Sequence, residues 1–139
     1  MELNFHHICI ETAMYNESIN FYTKLLGFNI VEETENFHGR EYNTWLQNGN
    51  IIIELQTPKK RKLEQTNSCL PNTGLMHVCF QVENLEDIIR KLESNGFFGF
   101  IEGKKKYKIM NSYLSKIKAP EGTIIELREK KNHLTTAST

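Results

Sequence analysis

The hydrophobic and polar positions of this chain follow the same order twice. Residues 3–12 alternate between apolar and polar side chains, which predicts a strand with its apolar side turned to a core. Residues 75–82 are predicted to form a second copy of this strand. The side away from the core carries matching residues in the two copies: His7, Cys9 and Glu11 in the first, His77 and Cys79 in the second.

An amphipathic helix is predicted after each of these strands. Asn16 and Asn84 are the expected N-caps, because an asparagine side chain accepts hydrogen bonds from the free N–H groups of a first turn. Gly27 and Gly96 are expected to end the helices, since glycine readily adopts the left-handed conformation found there. The predicted apolar stripes consist of Ile19, Tyr22, Leu25 and Leu26 in the first helix and of Ile88, Ile89 and Leu92 in the second.

Three further strands are predicted in each half of the chain. Turns at His38-Gly39 and at Asn48-Gly49-Asn50 separate those of the first half as hairpins. The predicted strands span about 28–35, 41–47 and 50–57 in the first half and about 97–102, 112–118 and 123–129 in the second.

The order of elements is therefore βαβββ, a linker, and βαβββ again. A repeat of this length indicates duplication of a half-domain within one α+β domain, 1–139. Each helix is expected to cover one face of its sheet and to leave the other face free to curve around a ligand. The expected divisions are a first module at about 3–57, a linker at 58–74, a second module at about 75–129 and a tail at 130–139.

Composition narrows the classes of function. Seventeen basic and seventeen acidic residues balance to a net charge of zero, which removes the electrostatic case for nucleic-acid binding. No apolar run approaches the ~20 residues that cross a bilayer, and the N-terminus lacks the apolar segment of a signal peptide. Cys9, Cys69 and Cys79 form no C-x-x-C pair, which favours a reducing compartment without disulfides. We expect a cytoplasmic protein with a small-molecule substrate and no nucleic-acid or membrane partner.

Two carboxylates stand in apolar runs that are typical of buried strands. An ionised Glu54 or Glu126 in such a run is costly unless it is paired, hydrogen-bonded or bound to a metal. His7 precedes Glu54 by 47 positions and His77 precedes Glu126 by 49, so the same polar exceptions recur in both halves. Two neutral imidazoles and two carboxylates suit a divalent cation such as Zn²⁺, Ni²⁺, Co²⁺ or Mn²⁺. We interpret these four residues as ligands of one shared metal ion.

Taken singly, each histidine could instead be a packed structural residue, and each glutamate could lie on a half-exposed strand face. The repetition of both features in the two halves favours metal binding, because stability alone does not require the same polar residues at corresponding positions twice. Cys9, Glu11 and Cys79 are expected to line the substrate pocket, the cysteines as small apolar side chains. His6 is expected on the helix-packed face in a structural role, since Met76 holds its position in the second half.

The basic run Lys104-Lys105-Lys106, with Lys108, has two interpretations. Such runs most often form solvated loops, and this is the first expectation. The alternative is that the run meets an anionic part of the substrate at the rim of the pocket.

At residues 21–28 (FYTKLLGF) and 119–127 (APEGTIIEL) the chain resembles the vicinal oxygen chelate superfamily. This superfamily includes glyoxalase I, methylmalonyl-CoA epimerase, extradiol dioxygenases and bleomycin-resistance proteins, and the resemblance covers about residues 4–128. It implies a fold of two βαβββ modules whose mixed sheets form a cup around the metal. It also implies that all four metal-ligand positions of a bacterial glyoxalase I are filled here, by His7, Glu54, His77 and Glu126.

The resemblance implies a metal-dependent lyase of the glyoxalase I (lactoylglutathione lyase) type. Such an enzyme isomerises a hemithioacetal or a similar α-hydroxycarbonyl through an enediolate. Glu126 is the implied base, with Glu54 as ligand or second proton carrier, and zinc or nickel is the expected metal, with cobalt and manganese as alternatives. Where glyoxalase I has an arginine and an asparagine that contact glutathione, this chain has Glu11 and Pro58. The metal chemistry is therefore expected to be kept while the glutathione anchor is changed.

Several alternatives stay open at this point. An epimerase acting on a 2-substituted acyl thioester uses related chemistry. A binding or resistance protein on the same fold performs none. A homodimer is expected, and the four ligands come either from one chain or from two.

Overall fold

The computed structural model of the chain describes residues 1–60, 73–109 and 112–129. Two compact units are present, Met1–Pro71 and Asn72–Thr139. Each unit contains one four-stranded mixed sheet together with short helices, which confirms the predicted α+β class and the βαβββ order. None of the described helices is long and apolar enough to cross a membrane. The predicted tail, most of the predicted linker and Cys69 lie outside the described residues.

The elements of the first unit are β1 Ile8–Glu11, α1 Tyr15–Asn20, a π-helical segment Phe21–Leu25, β2 Asn29–Phe37, β3 Arg40–Asn48 and β4 Ile51–Gln56. Strand β1 is parallel to β4, and the remaining pairs are antiparallel. The strand order is β1-β4-β3-β2, so the first strand lies beside the last. Gly39 and Gly49 have φ values of +80° and +58° at the two predicted hairpin turns.

The start of helix α1 differs from the prediction. Asn16 is not the N-cap, because the helix begins at Tyr15 and its N-cap is Met14, whose side chain makes no capping hydrogen bond. Thr12 lies just before the helix: its Oγ1 accepts a hydrogen bond from the Met14 N–H at 2.9 Å and lies 2.8 Å from Ser18 Oγ. The buried Thr12 side chain therefore holds the N-cap residue in place and does not cap the first-turn N–H groups.

The buried face of this helical segment is also shifted. Of the predicted stripe only Tyr22 is fully buried, and Phe21, which was not predicted, is buried beside it. The reason is the π-helical turn, in which Leu26 N–H donates to Phe21 O five residues back, so α-helical spacing no longer holds. The other three stripe residues, Ile19, Leu25 and Leu26, are half-buried.

The elements of the second unit are β5 Val78–Val82, α2 Leu85–Ser94, a 3₁₀ turn Ile101–Gly103, β6 Tyr107–Ile109, β7 Ser112–Lys118 and β8 Ile124–Glu129. This unit repeats the topology of the first, with strand order β5-β8-β7-β6 and with β5 parallel to β8. Asn84 caps helix α2 as predicted, since its Oδ1 accepts a hydrogen bond from Asp87 N–H at 3.1 Å.

The strand predicted at 97–102 is wrong. That segment makes one isolated bridge, between Phe100 and Ile117, and then enters the 3₁₀ turn. Gly99 explains why the apolar run does not extend as a strand: a Cβ there would lie 2.5 Å from Lys118 O, so the backbones approach too closely for a side chain. The three-residue β6 takes the edge position instead.

Each unit buries its core between its sheet and its helix. Ile53 in the first unit and Ile125 in the second are both fully buried, at matching positions beside the first strand of their sheets. Because successive strand residues point to opposite faces, their neighbours in sequence lie on the other side. We call that other side the site face: it bears Cys9, Trp45 and Glu54 in the first sheet and Cys79, Lys116 and Glu126 in the second.

Candidate metal centre

Strand register brings a histidine, a cysteine and a carboxylate together in each unit. In the first unit Cys9 lies opposite Glu54 on the parallel strands β1 and β4, and His7 immediately precedes β1. The second unit repeats this arrangement with His77, Cys79 and Glu126. The matched spacing seen in the sequence therefore reflects a matched register in the two sheets.

The imidazole and the carboxylate of each unit are the same distance apart. His7 Nε2 lies 3.4 Å from Glu54 Oε1, and His77 Nε2 lies 3.4 Å from Glu126 Oε2. These separations exceed the usual range of about 2.7–3.2 Å for an N–H···O hydrogen bond. Two donors that each lie about 2.1 Å from one cation are about 3.0–3.4 Å apart at octahedral or tetrahedral angles. Each pair is therefore spaced as two ligands of a metal ion would be.

Each unit brings two of the four predicted ligands together. Among the described residues of either unit, no three histidine, cysteine, aspartate or glutamate side chains are arranged so that they could hold a metal ion together. Two donors leave most of the coordination shell of a divalent cation open, so a site of the predicted kind needs both pairs. The shared four-ligand centre thus stays a prediction.

His6 lies beside His7, which the sequence did not lead us to expect. The two Nδ1 atoms are 2.7 Å apart, and the rings meet edge to face. The predicted packing of His6 against the helix is wrong, because β1 begins only at Ile8 and strand alternation does not extend back to residue 6. When His7 Nδ1–H donates to His6, the Nε2 lone pair of His7 is left free for a metal.

Both cysteines are neutral thiols in this setting. Desolvation by the surrounding protein, followed by the charge of Glu54, raises the pKa of Cys9 to about 11. The pKa of Cys79 is also raised, first by desolvation and then by the charge of Glu126. A thiol must lose its proton to be a good metal ligand or nucleophile, so these shifts favour the expected role as neutral lining.

Glu54 has uncharged neighbours on the site face. Trp45 lies directly opposite it on β3, and the indole ring meets the His7 ring edge to face at a centroid distance of 4.8 Å. Gln56, two residues further along β4, has its Nε2 at 3.4 Å from Glu54 Oε2. Sequence reasoning missed Trp45, since its link to Glu54 exists only through the pairing of β3 with β4.

Glu126 has cationic neighbours instead. Lys116 occupies the position on β7 that corresponds to Trp45, and its Nζ lies 4.0 Å from Glu126 Oε2. Arg128 places Nη2 at 3.5 Å from Glu126 Oε1. The two imidazole–carboxylate pairs thus have the same residue types but differ in the charge around them.

Glu11 is paired with a residue that the sequence did not point to. Arg40 Nη1 lies 3.4 Å from Glu11 Oε1 and donates to Thr57 O at 2.8 Å. Arg40 is 29 positions away along the chain, at the start of β3, so no local pattern indicates the contact. The pair offsets the negative charge that Glu11 brings to this end of the site face.

The sequence matches the Glyoxalase/Bleomycin resistance protein/Dioxygenase superfamily over residues 4–127. The chain therefore belongs to this family, whose members often bind a divalent metal.

Particular relatives agree with this assignment. The YwkD protein of Bacillus subtilis is 33% identical over 92 residues, which are 66% of this chain and 70% of that protein. Glyoxylase I 4 of Arabidopsis thaliana is 33% identical over 94 residues, 66% of this chain, and the match spans about half of that protein, 51%. The crystal structure of a glyoxalase family protein from Enterococcus faecalis superposes with a TM-score of 0.72 at 23% identity, covering 91% of this chain and 97% of that one. This structural likeness shows the shared fold.

Proposed function

We propose that the chain is a metal-dependent lyase of the glyoxalase I (lactoylglutathione lyase) type, with His7, Glu54, His77 and Glu126 as its metal ligands. Its substrate would be a hemithioacetal or a similar α-hydroxycarbonyl, isomerised through an enediolate. The observation that carries the proposal is the 3.4 Å imidazole–carboxylate separation, which recurs in both units. Family membership supports the same chemistry.

The bound cation, zinc or nickel in this proposal, would polarise two neighbouring substrate oxygens and stabilise the negative charge that develops on them. The protein residues supply orientation and proton transfer. Trp45 and His6 both contact the His7 ring and limit its rotation. Desolvation and the neighbouring glutamates raise the pKa of Cys9 and of Cys79, which favours the carboxylates as the charged donors.

Glu126 is the proposed general base. Its carboxylate is buried, and the nearby Lys116 and Arg128 compensate its charge without a short hydrogen bond to either oxygen. Oε1 and Oε2 are thus held in place and still able to accept a proton from the substrate carbon. Glu54, with uncharged neighbours, is the proposed second proton carrier.

Replacing the proposed base gives the direct test. We expect Glu126→Gln to lower kcat for methylglyoxal hemithioacetals by about 10²–10⁴-fold, because general base catalysis contributes that much. Much of the metal should stay bound, as measured by elemental analysis of protein purified without chelators. Glu121→Gln is the matched control and should change kcat little, because Glu121 lies in the turn before β8, where its carboxylate accepts a hydrogen bond from Thr123 Oγ1.

Two results would count against the proposal. A near wild-type rate for Glu126→Gln removes Glu126 from the role of base. A wild-type protein that binds no stoichiometric divalent metal and turns over no hemithioacetal of any thiol tested rejects the lyase itself and favours a binding protein.

We also propose that the protein acts as a homodimer. The support is the family to which it belongs, whose fold is commonly dimeric. Light scattering coupled to size-exclusion chromatography measures the molar mass of the assembly directly. A monomer that still binds one metal ion tightly would show that one chain supplies a complete metal site.

A further inference from the structure

The site face of the second sheet is positively charged. Residues that alternate along β7 and β8 share that face, and cross-strand pairing places Lys116 opposite Glu126 and Lys118 opposite Ile124. Arg128 follows on the same face of β8. Among the described residues of these two strands, three cations therefore share the site face with a single carboxylate.

The fold of the sheet does not require a positive charge at the position of Lys116. Trp45 holds the corresponding position in the first unit, so the repeated fold accepts an uncharged ring there. The Lys116 side chain is 39% exposed, and its Nζ is 4.0 Å from Glu126 Oε2, too far for a direct hydrogen bond. The ammonium group thus has donor capacity left on the side away from Glu126.

The neighbouring basic run is divided between the two faces of the sheet. Lys105 forms an ion pair with Glu93, and Lys106 forms one with Glu86, both on helix α2. The positive charges of these two lysines are therefore balanced by glutamates on the helix-covered side of the sheet.

Lys104 lies on the site face instead. Its Nζ is 4.5 Å from the centroid of the Tyr107 ring, and Lys116 Nζ is 5.4 Å from the same centroid. Two ammonium groups thus share one aromatic ring, and within the described part of the chain no carboxylate pairs with Lys104. An anion beside this ring would relieve the repulsion between the two charges.

We propose that Lys116, assisted by Lys104, binds an anionic group of the substrate close to its reacting carbons. This inference rests on the proposed function, because Glu126 marks where the reaction occurs and Lys116 lies next to it. It narrows the substrate class to hemithioacetals of dicarbonyl compounds that carry a carboxylate of their own. The carboxylate would lie at the dicarbonyl end of the substrate.

The first test compares two substrates that differ only in charge. The hemithioacetals of 2-mercaptoethanol with 4,5-dioxopentanoate and with its methyl ester present the same reacting carbons, and 2-mercaptoethanol itself is neutral. We expect kcat/KM to favour the acid. Lys116→Met should reduce the acid-to-ester ratio by about three- to tenfold, the usual range for a partly exposed charged contact, and Lys104→Met should reduce it less.

Lys108→Met is the matched control. Lys108 is exposed and adjacent to Tyr107 in β6, so its side chain lies on the opposite face of the strand. Lys108→Met removes one positive charge, as Lys116→Met does. Its acid-to-ester ratio should equal that of the wild type. Lys116→Arg, which keeps the charge, should restore most of the preference for the acid.

The second test measures binding without turnover. The probes are 5-hydroxy-4-oxopentanoate and its methyl ester, which have the two neighbouring oxygens but no thiol and so cannot form a thioester. Isothermal titration of the metal-loaded protein should show tighter binding of the acid, and Lys116→Met should remove the difference while circular dichroism stays unchanged.

The two proposals fail in distinguishable ways. Equal kcat/KM and equal affinity for acid and ester, or binding of neither probe, overturn the role of Lys116 even when the lyase reaction occurs. Acid-selective binding that depends on Lys116, with no turnover of either hemithioacetal, supports the anion site and overturns the lyase proposal.

Discussion

At the scale of single residues, each of the two histidines faces a glutamate at the same distance, but the other contacts of the two rings differ. His7 is contacted by the His6 ring and by the Trp45 ring in addition to Glu54. His77 has Glu126 at the same distance, but no ring contact or second hydrogen bond to it is present in the described residues. Orientation of a ligating imidazole through its second nitrogen strengthens metal binding, so the first pair is the better organised one.

We expect His6→Ala to weaken metal binding by about 10–100-fold, the usual cost of removing a hydrogen-bond partner from a ligating histidine. Competition with a chromophoric chelator for Zn²⁺ measures the affinity. Met76→Ala is the matched control, because Met76 holds the corresponding position before His77 and should have little effect. Equal affinities for both variants and the wild type would show that His6 does not orient His7.

At the scale of elements, the starts of the two helices differ although their sequences are alike. Both helices have an asparagine near the start, yet only Asn84 accepts a capping hydrogen bond. In the first unit the Thr12 hydroxyl accepts a hydrogen bond from the N–H of the N-cap residue Met14 and lies beside Ser18 Oγ. An asparagine at the start of the helix therefore caps it in the second unit and does not in the first.

We expect Asn84→Ala to lower the free energy of unfolding by about 0.5–2 kcal/mol, because Asp87 N–H loses its acceptor. Asn16→Ala should change it by less than about 0.5 kcal/mol, as for a surface position without a special contact. Urea denaturation followed by circular dichroism measures both. A loss as large for Asn16 as for Asn84 would contradict the assigned caps.

At the scale of the whole molecule, a repeated core supports two chemically different site faces. The net charge of zero conceals this difference. Glu11, Glu32 and Glu54 lie on the strands of the first site face, whereas lysine and arginine predominate on the second. Beneath these faces, buried aliphatic side chains occupy corresponding strand positions, Ile53 and Leu55 in the first sheet and Ile125 and Leu127 in the second.

The matching cores predict matching losses of stability. We expect Ile53→Ala and Ile125→Ala each to lower the free energy of unfolding by about 2–5 kcal/mol, since both side chains are fully buried and would leave a cavity. Ile52→Ala and Ile124→Ala, half-buried on the site faces, are the controls and should cost less. Urea denaturation of the four variants measures this. A loss below about 1 kcal/mol at Ile53 or Ile125 would show that the position is not a true core site.

The repeat, most strands and the candidate residues His7, Glu54, His77 and Glu126 can be read from the sequence, since these features depend on signals within a few residues. Strand alternation, the glycines of the turns and the polar interruptions at Glu54 and Glu126 are all local patterns. The error at 97–102 has a different cause, because the close approach of Gly99 to Lys118 depends on residues far apart in sequence.

Tertiary structure alone decided what surrounds the four proposed ligands. The 3.4 Å separations, Trp45 opposite Glu54 and Lys116 opposite Glu126 all arise from the register of paired strands. Register depends on which strands become neighbours, and no pattern within a single strand specifies the side chain across from it. The sequence by itself thus determined the duplicated histidines and glutamates, and the paired sheets determined the charge and packing around each one.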